Sequence, residues 1–534
     1  MSALSQNTGL DAISVEIIGS ALASIVEEMG EKLVRASFST NIKERRDCST
    51  ALLDPAGQVL CQAEHVPVHL GSFLGLIEKI HQYHAADSIE PGDIFLCNDP
   101  YRGGGTHLPD LVVAQPIFAD GVILAWAVNT AHHADFVDRG HAHIFQEGIR
   151  IPPSRLFRKG VLQSDIQNIF LLNCQVPQER ISDLHAQISA LRLAEQRLQE
   201  LTVRYGTSTL QQAFDALMDY AERRMRAAIA ALPDGCYRVE DRFDNPELDG
   251  ELPVALTLTI SGDEMVLDFE APPQVKAGFN MVRAALLATV YYAVKAVADP
   301  EILPNAGLGR PITVNAPEGS IFSCTSPAAV INRTSAAQRS ADLVIAALAQ
   351  AVPALAVGGS NGAVVVTSFS GEQDGGQLWV YLEAIGGGSG ARATKDGLSG
   401  VHVHVTNTSN LPVEALEAEY PLLLDAYELV DGSGGEGQYR GGMGLLRRYR
   451  ALAPCRVELD ASRIHSRPKG LLEGGDGQSF KLYVNGSEVF PPPQSMQLAA
   501  GDVYEVRTPG GGGYGPVSKR SEADKARDKQ ELWL

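Results

Sequence analysis

One segment does most to limit what this chain can become. Two apolar, β-prone runs, Leu111–Phe118 and Val122–Val128, are joined only by Ala119-Asp120-Gly121. An Asp-Gly pair between such runs signals a two-residue hairpin turn. If Asp120-Gly121 is that turn, Ala119 pairs with Val122 and position 110 falls opposite position 131. Asp110 is then brought beside His132. His107 stands just before Leu108-Pro109, and proline favours an extended chain ahead of it. His107, Asp110 and His132 therefore converge at the open end of one hairpin. Two imidazoles and a carboxylate, with room for water, form the ligand pattern of a catalytic divalent-metal site. A lone His-x-x-Asp is more commonly a pair of solvated loop residues; the hairpin is what gives this one weight. A register slip of one residue would favour His133 over His132.

Composition narrows the partners. The chain has 534 residues, 45% of them hydrophobic, and a formal charge of −20 from 44 basic and 64 acidic residues. That length suggests about three domains, and the acidic balance argues against nucleic acid, whose phosphates need basic patches. No apolar run approaches the roughly 18–20 residues of a membrane span, and Met1–Leu10 has no signal-peptide pattern. Cys48, Cys61, Cys97, Cys174, Cys236, Cys324 and Cys455 are scattered, never C-x-x-C. Reduced thiols in a cytoplasmic protein are the expectation.

Along the chain, Ile18, Leu22, Ile25, Met29 and Leu33 predict a helix from Leu10 to about Phe38, with Asp11 or Ser14 as its cap. Thr50–Leu53 and Val59–Ala63 predict a strand pair, and Asp47, just before it, is placed to point into a site. His65-Val-Pro-Val-His69 precedes a predicted helix, Leu70–His84. Residues 182–232 form the longest helical region, split at Tyr205-Gly206-Thr207. Tyr237–Phe243, Val254–Ile260 and Glu264–Phe269 predict an antiparallel meander. Asn332-Arg333-Thr334-Ser335 precedes a predicted helix, Ser340–Ala351, where Arg333 and free N–H groups are placed to hold an anion. Gly-rich stretches then read as turns between short strands. The division expected is 1–153 around the metal site, 154–232 helical, 233–516 α/β with Gly-rich turns, and 517–534 a charged tail. Gly432-x-Gly434-x-x-Gly437 has dinucleotide-fingerprint letters without the following helix, and the absence of any Gly-Lys dipeptide excludes a P-loop.

Several separated motifs resemble the hydantoinase B/5-oxoprolinase B family, which includes acetone and acetophenone carboxylase subunits. They are Ser39-Thr-Asn-Ile-Lys-Glu-Arg-Arg-Asp-Cys-Ser49, Asn98-Asp-Pro-Tyr-x-Gly-Gly-x-Thr106-His-Leu-Pro-Asp110, Ala131-His-His-Ala-Asp135, Asn332-Arg-Thr-Ser335, Gly358-Gly-Ser-Asn-Gly362 and Thr508-Pro-Gly-Gly-Gly-Gly-Tyr-Gly515. The resemblance spans residues 10 to 516. It implies a mixed α/β (α+β) fold, a large multi-subdomain catalytic subunit with antiparallel sheets. It implies a divalent metal, zinc or manganese, at His107, Asp110 and His132, with Asp47 in the place of a fourth ligand. The second motif is one glycine longer than the usual form, and Asp135-Phe-Val-Asp-Arg139 replaces a smaller continuation, which leaves the substrate open.

The resemblance also implies division of labour. A hydantoinase A-type ATPase subunit would use ATP to phosphorylate a cyclic amide or ketone oxygen, and this subunit would finish the reaction, in a 2+2 heterotetramer. In the hydrolytic branch a water activated by the divalent ion opens a 5-oxoproline- or hydantoin-type ring. His133 or Asp135 is placed to relay the proton, and Arg46 or Arg333 to hold phosphoryl oxygens. The alternatives are a ketone carboxylase subunit, a stand-alone metal amidohydrolase needing no ATP, and a non-catalytic assembly subunit.

Overall fold

The computed structural model of the protein describes residues 10–63, 66–133, 140–362, 364–373 and 376–530. Among them, an antiparallel sheet of seven strands carries the hairpin near its middle. Its order is Val59–Gln62, Cys48–Leu53, Val122–His132, Asp110–Ala119, Ile94–Cys97, Ser154–Arg158, Val161–Leu162. Leu111 and Val113 face helices Ala12–Ala36, Pro177–Tyr205 and Thr207–Ala230. Val112 and Ala114 face the other way, onto Phe73, Leu76, Ile77 and Trp126. Covering both faces explains why the hairpin sequence is apolar throughout instead of alternating. The helices of 154–232 share their core with this sheet.

The first helix runs Ala12–Ala36, and Asp11 caps it by accepting from the Ser14 N–H at 2.9 Å. The helix predicted over Leu70–His84 is interrupted instead. A 3₁₀ turn, Pro67–Ser72, precedes Leu76–Tyr83, and Gly75 at φ +73° breaks between them. The predicted meander forms Gly235–Asp244, Glu251–Ser261 and Glu264–Glu270, with Ile312–Asn315 added in parallel. Helices Arg283–Ala298 and Arg333–Ala351 share its core. Two further sheets, built around Val365–Glu372 and Leu445–Ala451, share a third core. Among the described residues no helix is long and apolar enough to cross a membrane.

Asp431-Gly432 does turn, with Gly432 at φ +63°, but most of the Gly-rich residues are not in turns, which corrects the sequence expectation. They form buried, extended segments packed backbone to backbone. The Gly510 and Gly513 N–H groups donate to Gln478 O and Gly475 O, while those of Gly511 and Gly512 donate to Gly442 O and Gly359 O. In return, Pro509 O and Gly512 O accept from Gly388 and Ala391, and Gly511 O from Gly435. The segment meets the same neighbour again after three residues, the repeat of a polyproline-II-like helix and not the two-residue repeat of a strand. A Cβ on Gly511 would lie 1.9 Å from Ser389 O, and one on Gly441 1.9 Å from Gly511 O, so side chains are excluded by the backbones themselves. Gly435, inside the dinucleotide-like stretch, donates to Gly511 O and serves this packing.

Candidate active site

Three neighbouring strands end together. The chain entering Cys48–Leu53 places Asp47, the strand Asp110–Ala119 begins at Asp110, and Val122–His132 finishes at His132. Asp47 O accepts from the His132 N–H at 3.0 Å, which ties the first of these strands to the middle one, Val122–His132. The turn is as expected, with Asp120 at φ +50° and Gly121 at φ +79°. The register is not. A bulge lies between Ile117 and Phe118, and beyond it Asp110 pairs with His132, not with position 131. The extra residue in the second strand shifts the pairing by one. It sets His132 directly across from Asp110 and turns His133 away. His133 Nε2 lies 3.1 Å from Gln187 Oε1, and its ring packs edge-on against Phe170.

Asp47, His107, Asp110 and His132 are therefore brought together, all buried. His107 Nε2 is 3.0 Å from Asp110 Oδ1, and the His107 and His132 rings stand 5.0 Å apart. Arg333 joins them through three contacts. Its Nε donates to Thr106 Oγ1 at 2.7 Å, Nη2 donates to Asp110 Oδ2 at 2.8 Å, and Nη1 lies 3.2 Å from His107 Nδ1. It is the first residue of helix Arg333–Ala351, seven residues ahead of the predicted start.

Arg46, the other arginine expected at the site, is placed elsewhere. Arg46 sits at the surface with φ +56°, paired with Glu31 at 2.8 Å. Its neighbour Arg45 is the buried one, donating to Asn41 Oδ1 at 2.6 Å and to Leu382 O at 2.5 Å. Asp135 lies outside the described residues. The sequence reading also missed His69. This side chain is buried, with Nε2 at 3.5 Å from Asp47 Oδ1 and 3.6 Å from Asp110 Oδ1. The available signal was the second histidine of His65-Val-Pro-Val-His69, two residues after a proline that opens a helical turn.

The electrostatics favour charged acids and neutral bases. Burial alone would raise the Asp110 carboxyl, but His107 and Arg333 hold it well below the usual range. Burial opposes Asp47 in the same way, and His132, His69 and Arg45 lower it. Burial pushes His132 down to about 3 and, with Arg333, lowers His107. His107 Nδ1 is 2.8 Å from Ile331 O, an atom that can only accept. Nδ1 is also 3.2 Å from the Arg333 Nη1 donor, and Nε2 is turned to Asp110 Oδ1 at 3.0 Å. His132 differs: Arg45 orients the Asn41 amide, whose Nδ2 donates to His132 O at 2.7 Å and lies 3.2 Å from Nδ1.

The buried side chains here of a type that could hold a divalent ion are Asp47, His69, His107, Asp110 and His132. The pairs His107–Asp110, His69–Asp47 and His69–Asp110, at 3.0–3.6 Å, match neighbouring ligands around one ion with bonds of about 2.0–2.2 Å. They meet pairwise and not as a closed cage: among the described residues no group of three or more such side chains stands in ion-holding geometry. Beside them is a cavity of about 100 Å³, lined also by Arg45, Thr408, Asp460 and Gln494. A larger one, about 1130 Å³, shares Val66, Thr406 and Thr408 with it. On that larger cavity, Ser360 Oγ and Asp342 Oδ1 both approach one nitrogen of His404, Nε2, at 2.6 and 2.9 Å. A relay triad needs the two ring nitrogens engaged separately, so this cluster is not one.

Comparison with known proteins agrees with the architecture. The chain is 32% identical over 549 residues to a putative D-/L-hydantoinase B-type subunit from a Pseudomonas species, covering 96% of this chain and 91% of that one. It is 31% identical to 5-oxoprolinase 1 of Arabidopsis thaliana, covering 95% of this chain and 42% of that longer protein. The crystal structure of the ATP-dependent caprolactamase from Pseudomonas jessenii superposes with a TM-score of 0.88 at 26% identity, over 98% of this chain and 94% of that one. The model of the hydantoinase B/oxoprolinase family matches residues 11–517, and this chain belongs to that family.

Proposed function

We propose that this chain is the metal-dependent subunit of an ATP-dependent hydrolase that opens a cyclic amide after a partner ATPase subunit has phosphorylated it. One observation carries the reading: buried imidazoles and carboxylates meet within 3.0–3.6 Å at strand ends, in a chain of this family. Asp47, His107, Asp110 and His132 would hold the ion, zinc or manganese, which would supply Lewis-acid charge and lower the pKa of water.

The remaining chemistry falls to the chain. Arg333, spent on Thr106, His107 and Asp110, is a positioning residue that holds Asp110 ionised and oriented. Arg45 faces the cavity and replaces Arg46 as the cation for phosphoryl oxygens. Burial and the nearby Arg180 push His133 down to about 4, and with its Nε2 at Gln187 it supports the strand end in place of relaying a proton. Burial keeps water scarce around the activated carbon, so attack is confined to the cavity.

The B-type subunit naming of its relatives supports a partner subunit; this reading gives the phosphorylating half to a hydantoinase A-type ATPase in a 2+2 assembly. The test is ring opening of 5-oxoproline, hydantoins and caprolactam by the chain alone, the ATPase subunit alone, and both with ATP. Turnover only in the full mixture is the expected result. Hydrolysis by the chain alone without nucleotide would overturn the partner and favour a stand-alone amidohydrolase.

A further inference from the structure

We infer that His69 is an imidazole ligand of this centre, supplied by a 3₁₀ turn outside the three strand ends. The inference rests on the divalent-ion reading of the site. Its first support is the orientation of the His69 ring. Nδ1 lies 3.2 Å from Ser49 Oγ, whose own hydrogen can go to Cys48 O at 2.8 Å. That contact holds Nδ1 on the far side of the ring. Nε2 is turned toward Asp47 Oδ1 and Asp110 Oδ1, at 3.5 and 3.6 Å. Both distances exceed a hydrogen bond and suit two ligands sharing an ion.

The second support is the backbone that delivers the ring. Pro67 opens the turn, and a Cβ on Gly71 would meet Ala284 O at 2.8 Å. Glycine there lets the turn seat directly on helix Arg283–Ala298, with His69 only 2% exposed. His107 is held in a similar way, its Nδ1 2.8 Å from Ile331 O and its Nε2 3.0 Å from Asp110 Oδ1. Both rings thus turn Nε2 toward Asp110 Oδ1.

The experiment counts imidazoles. The full-length chain is loaded with Mn(II) alone, its affinity measured by titration, and its nitrogen ligands counted by pulsed electron paramagnetic resonance. His69→Gln should lose one imidazole from the count and bind at least about 10-fold more weakly. His107→Ala is the control for the centre itself. An unchanged count in His69→Gln, with loss in His107→Ala, would overturn the His69 assignment alone. Unchanged binding in both would overturn the divalent-ion reading and this inference with it. Should His69→Gln misfold, Ser49→Ala keeps the ring and removes its Nδ1 partner. Weaker binding by about 10- to 100-fold is then expected, and unaltered affinity counts against the assignment.

Discussion

The strand-end site and the glycine bundle solve opposite problems. At the site, side chains do the work, and the backbone is regular strand that lines them up. In the bundle around Gly510–Gly513 the backbone does the work, and side chains are excluded. Both are buried, and both satisfy polar groups away from water. The site crowds imidazoles, carboxylates and an arginine together, whereas the bundle pairs neutral amides and carbonyls along the central segment. A region built to bind something keeps electrostatic tension, and a region built to hold shape removes it.

The largest effect expected from breaking this contrast is in the bundle. In Gly388→Ala the new methyl would sit 2.0 Å from Gly442 O, with Gly511 N at 2.4 Å. Neither is a flexible side chain, so nothing can yield. A loss above roughly 4 kcal/mol is expected, enough to unfold the third core. Soluble yield and near-ultraviolet dichroism measure it; a native-like spectrum and melting point would show the segments are looser than described.

The counterpart at the site is His107→Ala, which should spare the fold and remove function. Ring opening with the ATPase subunit and ATP should fall on the order of 10³-fold, the kinetic worth of several kcal/mol of Lewis-acid stabilisation. Metal content by elemental analysis should fall with it. Full metal and full activity would remove His107 from the centre.

A medium effect concerns Glu147, which accepts from the Val330 and Ile331 N–H groups at 2.6 and 2.7 Å and so braces the approach to Arg333. Burial pushes its carboxyl up to about 7. An unfolded glutamate titrates near about 4.3, so the folded state keeps a proton that the unfolded state has released. Stability from this group is full below that value and is lost as pH rises toward 7, on the order of 3 kcal/mol in all. The buried histidines act with the opposite sign, because their lowered values cost stability as pH falls. The difference between wild type and Glu147→Gln isolates the glutamate. Denaturant midpoints should lie close together near pH 4.5, where both side chains are neutral, and separate as pH rises toward 7, the wild type falling below the variant; a constant difference from pH 4.5 to 8 refutes the shift.

The smallest effects lie at the edges of both regions. Gly121→Ala meets no atom within 4 Å and disturbs only a left-handed turn, at about 1 kcal/mol. Arg46→Ala removes a surface ion pair worth about 0–1 kcal/mol and should leave kcat/KM unchanged, whereas Arg45→Ala should raise KM. Equal kinetic loss in both variants would restore Arg46 to the site.

The same contrast explains what was legible beforehand. The hairpin could be read because its signals are local: apolar runs, an Asp-Gly turn, and ligand-type residues at its open end. His107, Asp110 and His132 were brought together on that basis, and Asp47 from its place before a strand and the family resemblance. His69 was not, since its place depends on how Gly71 seats on a helix more than two hundred residues away. Arg45 and Arg46 are adjacent, and only the left-handed backbone at Arg46 decides which one turns inward. The glycine runs were misread as turns because glycine has the same letters in a turn and in a packed three-fold segment.

Sequence alone determined the family, the presence of the hairpin and the chemistry of its open end. Those depend on residue types within a few positions of one another, where propensity and pattern act directly. Tertiary structure alone decided the register, through the bulge at Ile117, and with it which of His132 and His133 enters the site. It also decided the partners of Arg333, the approach of His69 and the glycine bundle. Each of these is a contact between segments distant in the chain. Its energy exists only once packing has brought both partners out of water, so no single stretch of sequence encodes it.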